Sequence, residues 1–524
     1  MFKRAVLAIL LFAAPQSPAL ESFPLDEVTA VQLQDWMTSG RYSARQVAEL
    51  YIRRIEAIDR RGPELRSVIE LNPDALAIAD ALDAERRTKG PRGPLHGIPV
   101  LIKDNINTGD RMMTTAGSLA LDGVRATNDA FVVQRMRAAG VVILGKTNLS
   151  EWANFRSTHS TSGWSGRGGQ VKNPYVLDRN PCGSSSGTGA AIAANLAAIG
   201  VGSETDGSIV CPSGANGLVG IKPTVGLVSR SGIIPISHSQ DTAGPMARTV
   251  ADAAALLGAM TGADPRDAAT KSSDAHPRAD YVKALDANGL KGARIGVARK
   301  QYFGYSRPTD ALIDKAIADM KAQGAVIVDP ADIPTASKMD GCEMEVLLYE
   351  FKADLNKYLG ARGPAAPVQS LHDLIAFNER EKGREMPYFG QELFLSAEKK
   401  RPLSSPAYKT ALARCRSLAR AQGIDLVMRQ HRLDAIVAPT GGPAWTTDPV
   451  NGDHFTGGSS TAAAVAGYPS ITVPAGQAFG LPVGISFIGS AWSEAKLIAL
   501  AYAYEHATHH RRPPTYVPTL RMKD

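Results

Sequence analysis

The sequence predicts an α/β protein in which helices cover both faces of a β-sheet. Short apolar strands alternate with helical segments between residues 98 and 208, and strands return between residues 435 and 487. Alternating strands and helices favour a sheet that is buried on both faces. The chain has 524 residues, of which 44% are hydrophobic, and this is enough apolar material for a large core.

The predicted elements follow one another without an internal repeat. Residues 26–90 read as helical because apolar residues recur at helical spacing, and Asn72 to Lys89 forms a helix that Gly90-Pro91 ends. The next elements alternate: strands at 98–102 and 141–144, helices at 131–139 and 190–199, and a strand that opens at Val201.

The region from about 265 to 430 is more helical and polar, and it contains no recognisable motif. Strands then return at 435–438, 470–473 and 484–487, and we expect them to rejoin the first sheet. We therefore predict a single domain over residues 20–524, with a helical insertion at about 265–430 that shapes specificity.

The N-terminus has the pattern of a signal peptide. Two basic residues precede an apolar run at 5–14, and small residues then offer a cleavage site after position 19. The alternative is an N-terminal core helix, but Pro15 and Pro18 would break it. We expect removal of residues 1–19, export to the periplasm or the medium, and no stable membrane anchor in the mature chain.

Charge and cysteine content exclude several classes of function. The formal charge of +7 comes from scattered basic residues, which favours a solvated surface over nucleic-acid binding. The four cysteines form no CxxC motif, and the histidine spacing offers no metal site. We expect no metal.

The stretch GSSSG at 183–187 matches G-x-S-x-G, the nucleophile elbow of serine hydrolases, with Ser185 in its centre. That motif needs a strand directly before it, and the preceding residues 178–182 are polar and contain a proline. A phosphate-binding loop would need a lysine after the glycines, and none is present. The residues alone leave open a nucleophile or a polar turn that caps the next helix.

Two further stretches carry residues suited to catalysis. Lys103 ends the apolar strand at 98–102, where burial favours the neutral amine that acts as a general base. The alternative is a lysine that reaches the surface. Residues 204–208, ETDGS, follow a strand, and their backbone N–H groups suit an oxyanion hole beside Ser208, the alternative being an ordinary connection.

Three stretches in this order, IPVLIKDN, PCGSSSGTGAA and ETDGSIVCP, resemble the amidase signature family. Residues 217–235 and 241–253 look like the rest of its signature, and the likeness begins at about Leu25. The resemblance implies a mixed, mostly parallel twisted β-sheet covered by helices on both faces. It also implies an amide hydrolase that needs no cofactor, and we expect a monomer that acts on a small-molecule or peptide amide.

The resemblance assigns roles to individual residues. It makes Ser208 the nucleophile, Ser184 the relay and Lys103 the base of a Ser-Ser-Lys triad that works through an acyl-enzyme. Ser185 and Ser186 then cap the helix or line the site. The oxyanion hole comprises the backbone N–H groups of Thr205, Asp206, Gly207 and Ser208.

Finer similarity points to the bacterial peptide amidase branch, whose members remove the C-terminal amide of peptides. Much of the family has glycine at the position of Asp206, whereas ETDGS and GKTNLSEWANFRS (145–157) resemble this branch. We expect Asp206 to orient a cationic or N–H-bearing part of the substrate. Asn154 is a candidate for orienting the reacting amide, and a loop-capping asparagine is the alternative.

The branch also bears on two cysteines. Cys182 lies two residues before Ser184, and Cys211 lies three residues after Ser208. If the two serines share a hydrogen bond, the cysteines become neighbours. We expect two buried free thiols, with a disulfide as the alternative.

Four other functions remain as alternatives. The same triad suits aryl acylamides, fatty acid amides or carbamates. A glutaminase subunit of a tRNA-dependent amidotransferase would need cytoplasmic partners, which the export signal disfavours. The last two are a catalytically dead secreted binding protein and an α/β-hydrolase that uses Ser185 with a histidine.

Overall fold

One large β-sheet organises the chain in the computed structural model, which describes residues 22–275, 280–363 and 366–520. The predicted signal peptide, residues 1–19, lies outside these ranges. The strands are β1 (Val68–Leu71), β2 (Pro99–Lys103), β3 (Val142–Thr147), β4 (Trp164–Ser165), β5 (Gly169–Gln170), β6 (Ile199–Glu204), β7 (Val219–Lys222), β8 (Thr242–Ala247), β9 (Arg294–Val297), β10 (Val326–Val328), β11 (Ala435–Pro439), β12 (Ser470–Ala478) and β13 (Leu481–Ile488).

Helices surround this sheet. They are α1 (Ala30–Thr38), α2 (Ala44–Arg54), α3 (Ala75–Lys89), α4 (Phe131–Ala138), α5 (Ser186–Ala193), α6 (Val210–Ala215), α7 (Val250–Met260), α8 (Arg307–Ala322), α9 (Asp340–Gly360), α10 (Leu371–Arg380), α11 (Lys382–Glu385), α12 (Glu392–Glu398), α13 (Pro406–Ala419), α14 (Asp425–His431), α15 (Thr461–Ala466) and α16 (Glu494–Thr508). Local signals begin several of them; Thr29 and Ser43, for example, form capping boxes at α1 and α2.

Eleven of the described strands form the large sheet, in the order β1-β3-β2-β6-β8-β7-β12-β13-β11-β9-β10, and β4 pairs only with β5. Parallel pairing occurs in two blocks, β3-β2-β6 and β11-β9-β10, and the other neighbours are antiparallel. The sheet is mixed, as predicted, with a smaller share of parallel pairs than the resemblance implies.

The core lies on both faces of the sheet, which confirms the α/β prediction. In β11, Ala435 and Val437 belong to the largest apolar cluster, whereas Ile436 and Ala438 belong to a second cluster. Successive side chains of a strand point to opposite faces, so the two clusters lie on opposite sides of the sheet.

Three strands lie where the sequence predicts only helix. β1 falls inside residues 26–90, and β9 and β10 fall inside the helical region at 265–430. Each is only three or four residues long, so its pattern is too short to oppose the helical signal around it. β1 and β10 form the two edges of the sheet, and β9 lies next to β10. The prediction that the late strands rejoin the first sheet is confirmed.

The helix predicted at 190–199 is displaced. The observed α5 covers Ser186–Ala193, and Asn195 adopts a left-handed φ of 59° that ends the helical path. Ile199 instead begins β6. The polar Ser186 and two glycines therefore belong to the helix, and the alanines that follow connect it to the sheet.

Both cysteine pairs form disulfides, so the expectation of two buried free thiols is wrong. Cys182 pairs with Cys211 at a Cα separation of 6.0 Å, and Cys342 pairs with Cys415 at 5.7 Å. Both separations lie within the ordinary range for a disulfide. The fold brings the residues before Ser184 and after Ser208 close together, which the linear sequence does not reveal.

No helix within the described ranges is long and apolar enough to cross a membrane.

Candidate active site

Lys103 and Ser203 meet because their strands are parallel neighbours. β2 and β6 pair in parallel, so both end at the same edge of the sheet, where α/β proteins usually bind ligands. Lys103 Nζ donates hydrogen bonds to Ser203 Oγ at 3.0 Å and to Ser203 O at 3.2 Å. It also donates to Ser184 Oγ at 2.7 Å. The structure thus joins the predicted base directly to the predicted relay.

The environment of Lys103 favours its neutral form. The side chain is fully buried, and this burial lowers its pKa to about 7, although the negative charges of Glu204 and Asp241 oppose the shift. Removing an ammonium from water disfavours the charged state, so a substantial fraction of the amine is unprotonated near neutral pH. The alternative of a lysine at the surface is wrong.

Ser203 and Asn105 are polar residues of this site that the sequence analysis did not single out. Asn105 Nδ2 donates to Ser203 Oγ at 2.8 Å, so that oxygen accepts from both Asn105 and Lys103. Each residue lies two positions from a predicted site residue, Asn105 from Lys103 and Ser203 from Thr205. That proximity was the only signal that would have found them.

The three serines of the 183–187 stretch have different environments. The Ser184 carbonyl accepts from the Ser150 backbone at 3.0 Å, and its hydroxyl faces Lys103. The Ser185 hydroxyl is fully buried and donates to Ser203 O at 3.1 Å. Ser186 begins α5. No strand lies directly before Ser185, since the preceding strand β5 ends at Gln170, and the buried hydroxyl of Ser185 does not suit a nucleophile elbow.

The segment with Ser208 turns sharply between β6 and α6. Gly207 adopts a φ of 78°, a region that suits glycine, and this bends the chain around residues 205–208. Glu204 Oε2 accepts from the backbone N–H groups of Ile209 at 2.7 Å and Val210 at 3.0 Å, which holds the start of α6. The loop is thus fixed by the side chain that precedes it.

Ser208 lies beside the serine run through the backbone. The Ser185 N–H donates to Ser208 O at 3.2 Å, and Ser208 is 9% exposed. Within the described residues, no hydrogen bond joins the hydroxyls of Ser184 and Ser208. Hydrogen bonds between such groups often tighten only when substrate binds.

Asp206 and Thr205 extend from opposite sides of this loop. Asp206 Oδ2 accepts from Thr461 Oγ1 at 2.7 Å, its Oδ1 atom is buried without a hydrogen-bond partner, and burial raises the pKa of the carboxyl. Thr205 Oγ1 donates to Asp241 Oδ1 at 2.6 Å. Asp241 also accepts from two backbone N–H groups, so it anchors the loop to the 236–241 turn.

A cavity of about 270 Å³ adjoins the loop and contains Asp206, Gly207 and Asn154 in its wall. Trp152, Ala153 and Asn154 have consecutive positive φ values, which are costly for residues other than glycine. This left-handed turn brings Asn154 to the cavity, and among the described residues its side-chain amide has no hydrogen-bond partner. An unpaired amide is suited to a polar ligand.

A second cavity of about 430 Å³ lies on the Thr205 side of the loop. Its wall includes Ala153, Asp241 and the apolar residues Ile233 and Ile234. The sequence analysis named none of these residues. Together the two cavities flank the 205–207 loop and the Ala153-Asn154 turn, which leaves space on both sides of the loop.

One cluster in the described chain has the composition of a metal site. A ligand atom from each of His238, Glu350 and Asp354 lies within 4.8 Å of the others. Glu350 already accepts from Tyr408 OH at 2.6 Å, and His238 Nδ1 and Asp354 Oδ2 are 2.8 Å apart. These contacts pair the groups with one another and with the tyrosine, and His238 and Asp354 also line the 430 Å³ cavity.

Comparison with known proteins identifies the family of the chain. Residues 46–498 match the sequence profile of the family described as Amidase. A probable amidase of Arabidopsis thaliana is 44% identical over 517 residues, which cover 96% of this chain and 94% of the relative. A glutamyl-tRNA(Gln) amidotransferase subunit of Halorhodospira halophila is 34% identical over 511 residues, which cover 94% and 99%.

The fold also agrees with a solved structure of higher identity. The native peptide amidase from Stenotrophomonas maltophilia superimposes with a TM-score of 0.91 at 53% sequence identity. The match covers 94% of this chain and 100% of that chain.

Proposed function

The chain belongs to the amidase family and is an amide hydrolase, and we propose that it releases ammonia from the C-terminal amide of peptides. The observation that carries the mechanistic part is the hydrogen bond between the buried Lys103 amine and the Ser184 hydroxyl. The proposed peptide-amide substrate is supported by the 53% identity to a peptide amidase over nearly the whole chain. This identity exceeds the 34% to the amidotransferase subunit.

The proposed reaction begins with a proton transfer. Neutral Lys103 accepts the proton of Ser184, Ser184 accepts the proton of Ser208, and Ser208 Oγ attacks the carbonyl carbon of the amide. The pair of electrons from the C=O double bond moves to oxygen. The backbone N–H groups of the 205–208 loop stabilise the resulting oxyanion, and one such donor is typically worth about 3 kcal/mol.

The second half of the reaction returns the proton and uses water. The Ser208–Ser184–Lys103 chain delivers the proton to the amide nitrogen, the C–N bond breaks, and ammonia leaves behind an ester of Ser208. Water then loses a proton to the same chain and attacks this ester. The products are the free acid and regenerated Ser208.

Two residues of the smaller cavity are proposed to bind the substrate. Asn154 brings an unpaired amide to the cavity wall, which suits a hydrogen bond to the reacting carboxamide. Asp206 has a buried Oδ1 atom without a partner, which suits an N–H group of the peptide. We expect Asn154→Ala to raise KM for a peptide amide and Asp206→Asn to weaken discrimination between peptide amides and simple amides. Unchanged KM and selectivity would remove these two roles.

Ammonia release from an N-blocked dipeptide amide tests the function. We expect the wild type and Ser185→Ala to release ammonia, and Ser208→Ala and Ser184→Ala to release almost none. Activity that survives in Ser208→Ala would overturn the nucleophile, and activity lost only in Ser185→Ala would favour the α/β-hydrolase alternative.

The same assay compares substrate classes. Anilides, fatty acid amides, carbamates and free glutamine should react more slowly than the dipeptide amide. If one of them reacts faster and still depends on Ser208, the triad stands and the peptide-amide substrate is wrong.

We also propose that the protein is exported after removal of residues 1–19. Two disulfides occur in the described chain, and disulfides persist mainly in oxidising compartments. Mass spectrometry of protein from the periplasm or medium should find an N-terminus at residue 20. The expected monomeric state stays a prediction that analytical ultracentrifugation would test.

A further inference from the structure

The Cys182–Cys211 disulfide joins the two segments that carry the proposed serines. Cys182 lies two residues before Ser184, and Cys211 lies in α6, three residues after Ser208. Both cysteines line the 270 Å³ cavity beside Asp206. The disulfide therefore forms part of the wall of the proposed substrate cavity.

Hydrogen bonds also link these segments within the described chain. The Ser185 N–H donates to Ser208 O at 3.2 Å, and Asn216 Nδ2 donates to Pro181 O at 2.9 Å. The hydroxyls of Ser184 and Ser208 are not themselves hydrogen-bonded in the described structure. Their separation therefore depends on how firmly the two backbone segments are held together.

We propose that the Cys182–Cys211 disulfide is a positioning crosslink that holds Ser208 at the distance from Ser184 needed for proton transfer. This inference rests on the proposed Ser-Ser-Lys mechanism. It does not depend on the peptide-amide substrate, because the two hydroxyls act on any amide carbonyl. Misplacement of reacting groups by about 1 Å is enough to cost about a hundredfold in rate. The crosslink therefore acts on kcat more than on KM.

The crosslink also makes the activity sensitive to reduction. One thiolate of a dithiol reagent attacks a sulfur of the disulfide, and the second thiolate releases the mixed disulfide. The reagent becomes a cyclic disulfide, and its two electrons and two protons convert the cysteines to thiols. Cys211 is only half-buried and lines an open cavity, so the reagent has access to it.

The second disulfide provides a matched control. Cys342 in α9 and Cys415 in α13 are both buried in the second apolar cluster, and neither lines one of the two cavities beside the loop. Their sequence separation is 73 residues, compared with 29 for the first bridge. A longer closed loop restricts the unfolded chain more, so the control bridge contributes more to stability in the chain-entropy account.

The test compares two double variants on any amide whose hydrolysis depends on Ser208. We expect Cys182→Ala/Cys211→Ala to lower kcat at least about tenfold with little change in KM. We expect Cys342→Ala/Cys415→Ala to lower Tm more and to leave kcat unchanged. Dithiothreitol added to Cys342→Ala/Cys415→Ala should lower kcat while the near-UV circular dichroism spectrum remains that of the folded protein. Reoxidation should restore kcat.

Two results would overturn the inference. The first is wild-type kcat in the folded Cys182→Ala/Cys211→Ala variant. The second is a loss of kcat in both variants that follows their loss of Tm, since that pattern indicates general destabilisation. Failure of the mechanism is distinguishable, because it appears as hydrolysis that survives in Ser208→Ala while both disulfides are intact.

Discussion

Lys103 and Lys146 are the same residue type in two neighbouring regions of the molecule, and their amines have different hydrogen-bond partners. They lie at the ends of the neighbouring parallel strands β2 and β3, and both are fully buried. Burial lowers the pKa of Lys103 to about 7 and that of Lys146 to about 8. Burial and a lowered pKa are common to both lysines, so these two properties do not by themselves select which lysine is the base.

The register of the two strands separates the lysines. Lys146 pairs with Ile102 across the ladder, and Lys103 is the next residue along β2. Neighbouring side chains in a strand point to opposite faces, so the two amines face different sides of the sheet. Lys146 Nζ donates to Ile106 O at 2.7 Å and Thr114 Oγ1 at 2.8 Å, whereas Lys103 reaches the hydroxyl of Ser184. The hydroxyl of Ser184 therefore distinguishes the environment of Lys103 from that of Lys146, and the proposal of Lys103 as the base rests on it.

Replacing each lysine with methionine tests this comparison and has the largest expected effect. Lys103→Met should lower kcat by about 10²–10⁴-fold, because the general base is lost. Lys146→Met should leave kcat within about twofold and lower the free energy of unfolding by about 1–3 kcal/mol, since buried acceptors lose their donor. Steady-state kinetics and urea unfolding measure both. Equal losses of kcat in the two folded variants would break the distinction.

Removing one acceptor from each lysine gives a smaller effect. Ser203→Ala removes a hydrogen bond from Lys103 and should lower kcat about fivefold, because a single hydrogen bond is worth about 1 kcal/mol. Thr114→Val removes the matching bond from Lys146 and should leave kcat unchanged. The comparison fails if the valine variant loses activity while it retains its stability.

The pH dependence of kcat/KM shows which of the two lysines must be neutral for activity, and it is measured on the folded enzyme. The proposed mechanism requires the neutral form of Lys103, so kcat/KM should rise with pH to a plateau with a midpoint near 7. Asp241→Asn should move that midpoint to lower pH, because the Asp241 charge opposes the lowered pKa of Lys103. Lys146→Met should not move it. If Lys146→Met shifts or removes this midpoint, Lys146 rather than Lys103 is the base.

The smallest difference is expected in the pH dependence of stability, where the two lysines act alike. Each has a folded-state pKa below its usual 10.5, so between about pH 8 and 10 the unfolded chain binds more protons and stability rises with pH. Either methionine variant should flatten this rise by at most about 1.4 kcal/mol per pH unit. Urea unfolding at several pH values measures the slope. An unchanged slope in either variant would contradict burial of an uncharged amine.

The strong sequence signals of the site are short and local. Lys103, Ser184 and Ser208 each lie in a stretch whose residue types match their chemistry, and the structure places the first two in contact. Ser203 and Asn105 were missed, since a serine and an asparagine near strand ends are common and only their contact with Lys103 distinguishes them.

The fold was predicted best where elements are long or strongly apolar. The late strands β11, β12 and β13 were located by apolar runs, whereas β9 and β10 were hidden by the helices around them. Strands of three or four residues such as β9 and β10 are stabilised by pairing with neighbouring strands, and no local pattern reports those neighbours.

The sequence by itself determined the α/β class, the family resemblance and the identities of the hydroxyl and amine groups, because these depend on residue type and local pattern. Only the tertiary structure decided which buried lysine meets a serine, that Cys182 pairs with Cys211, and which side chains reach the cavities. Strand register and long-range packing set these contacts, and they join residues that are distant in the chain.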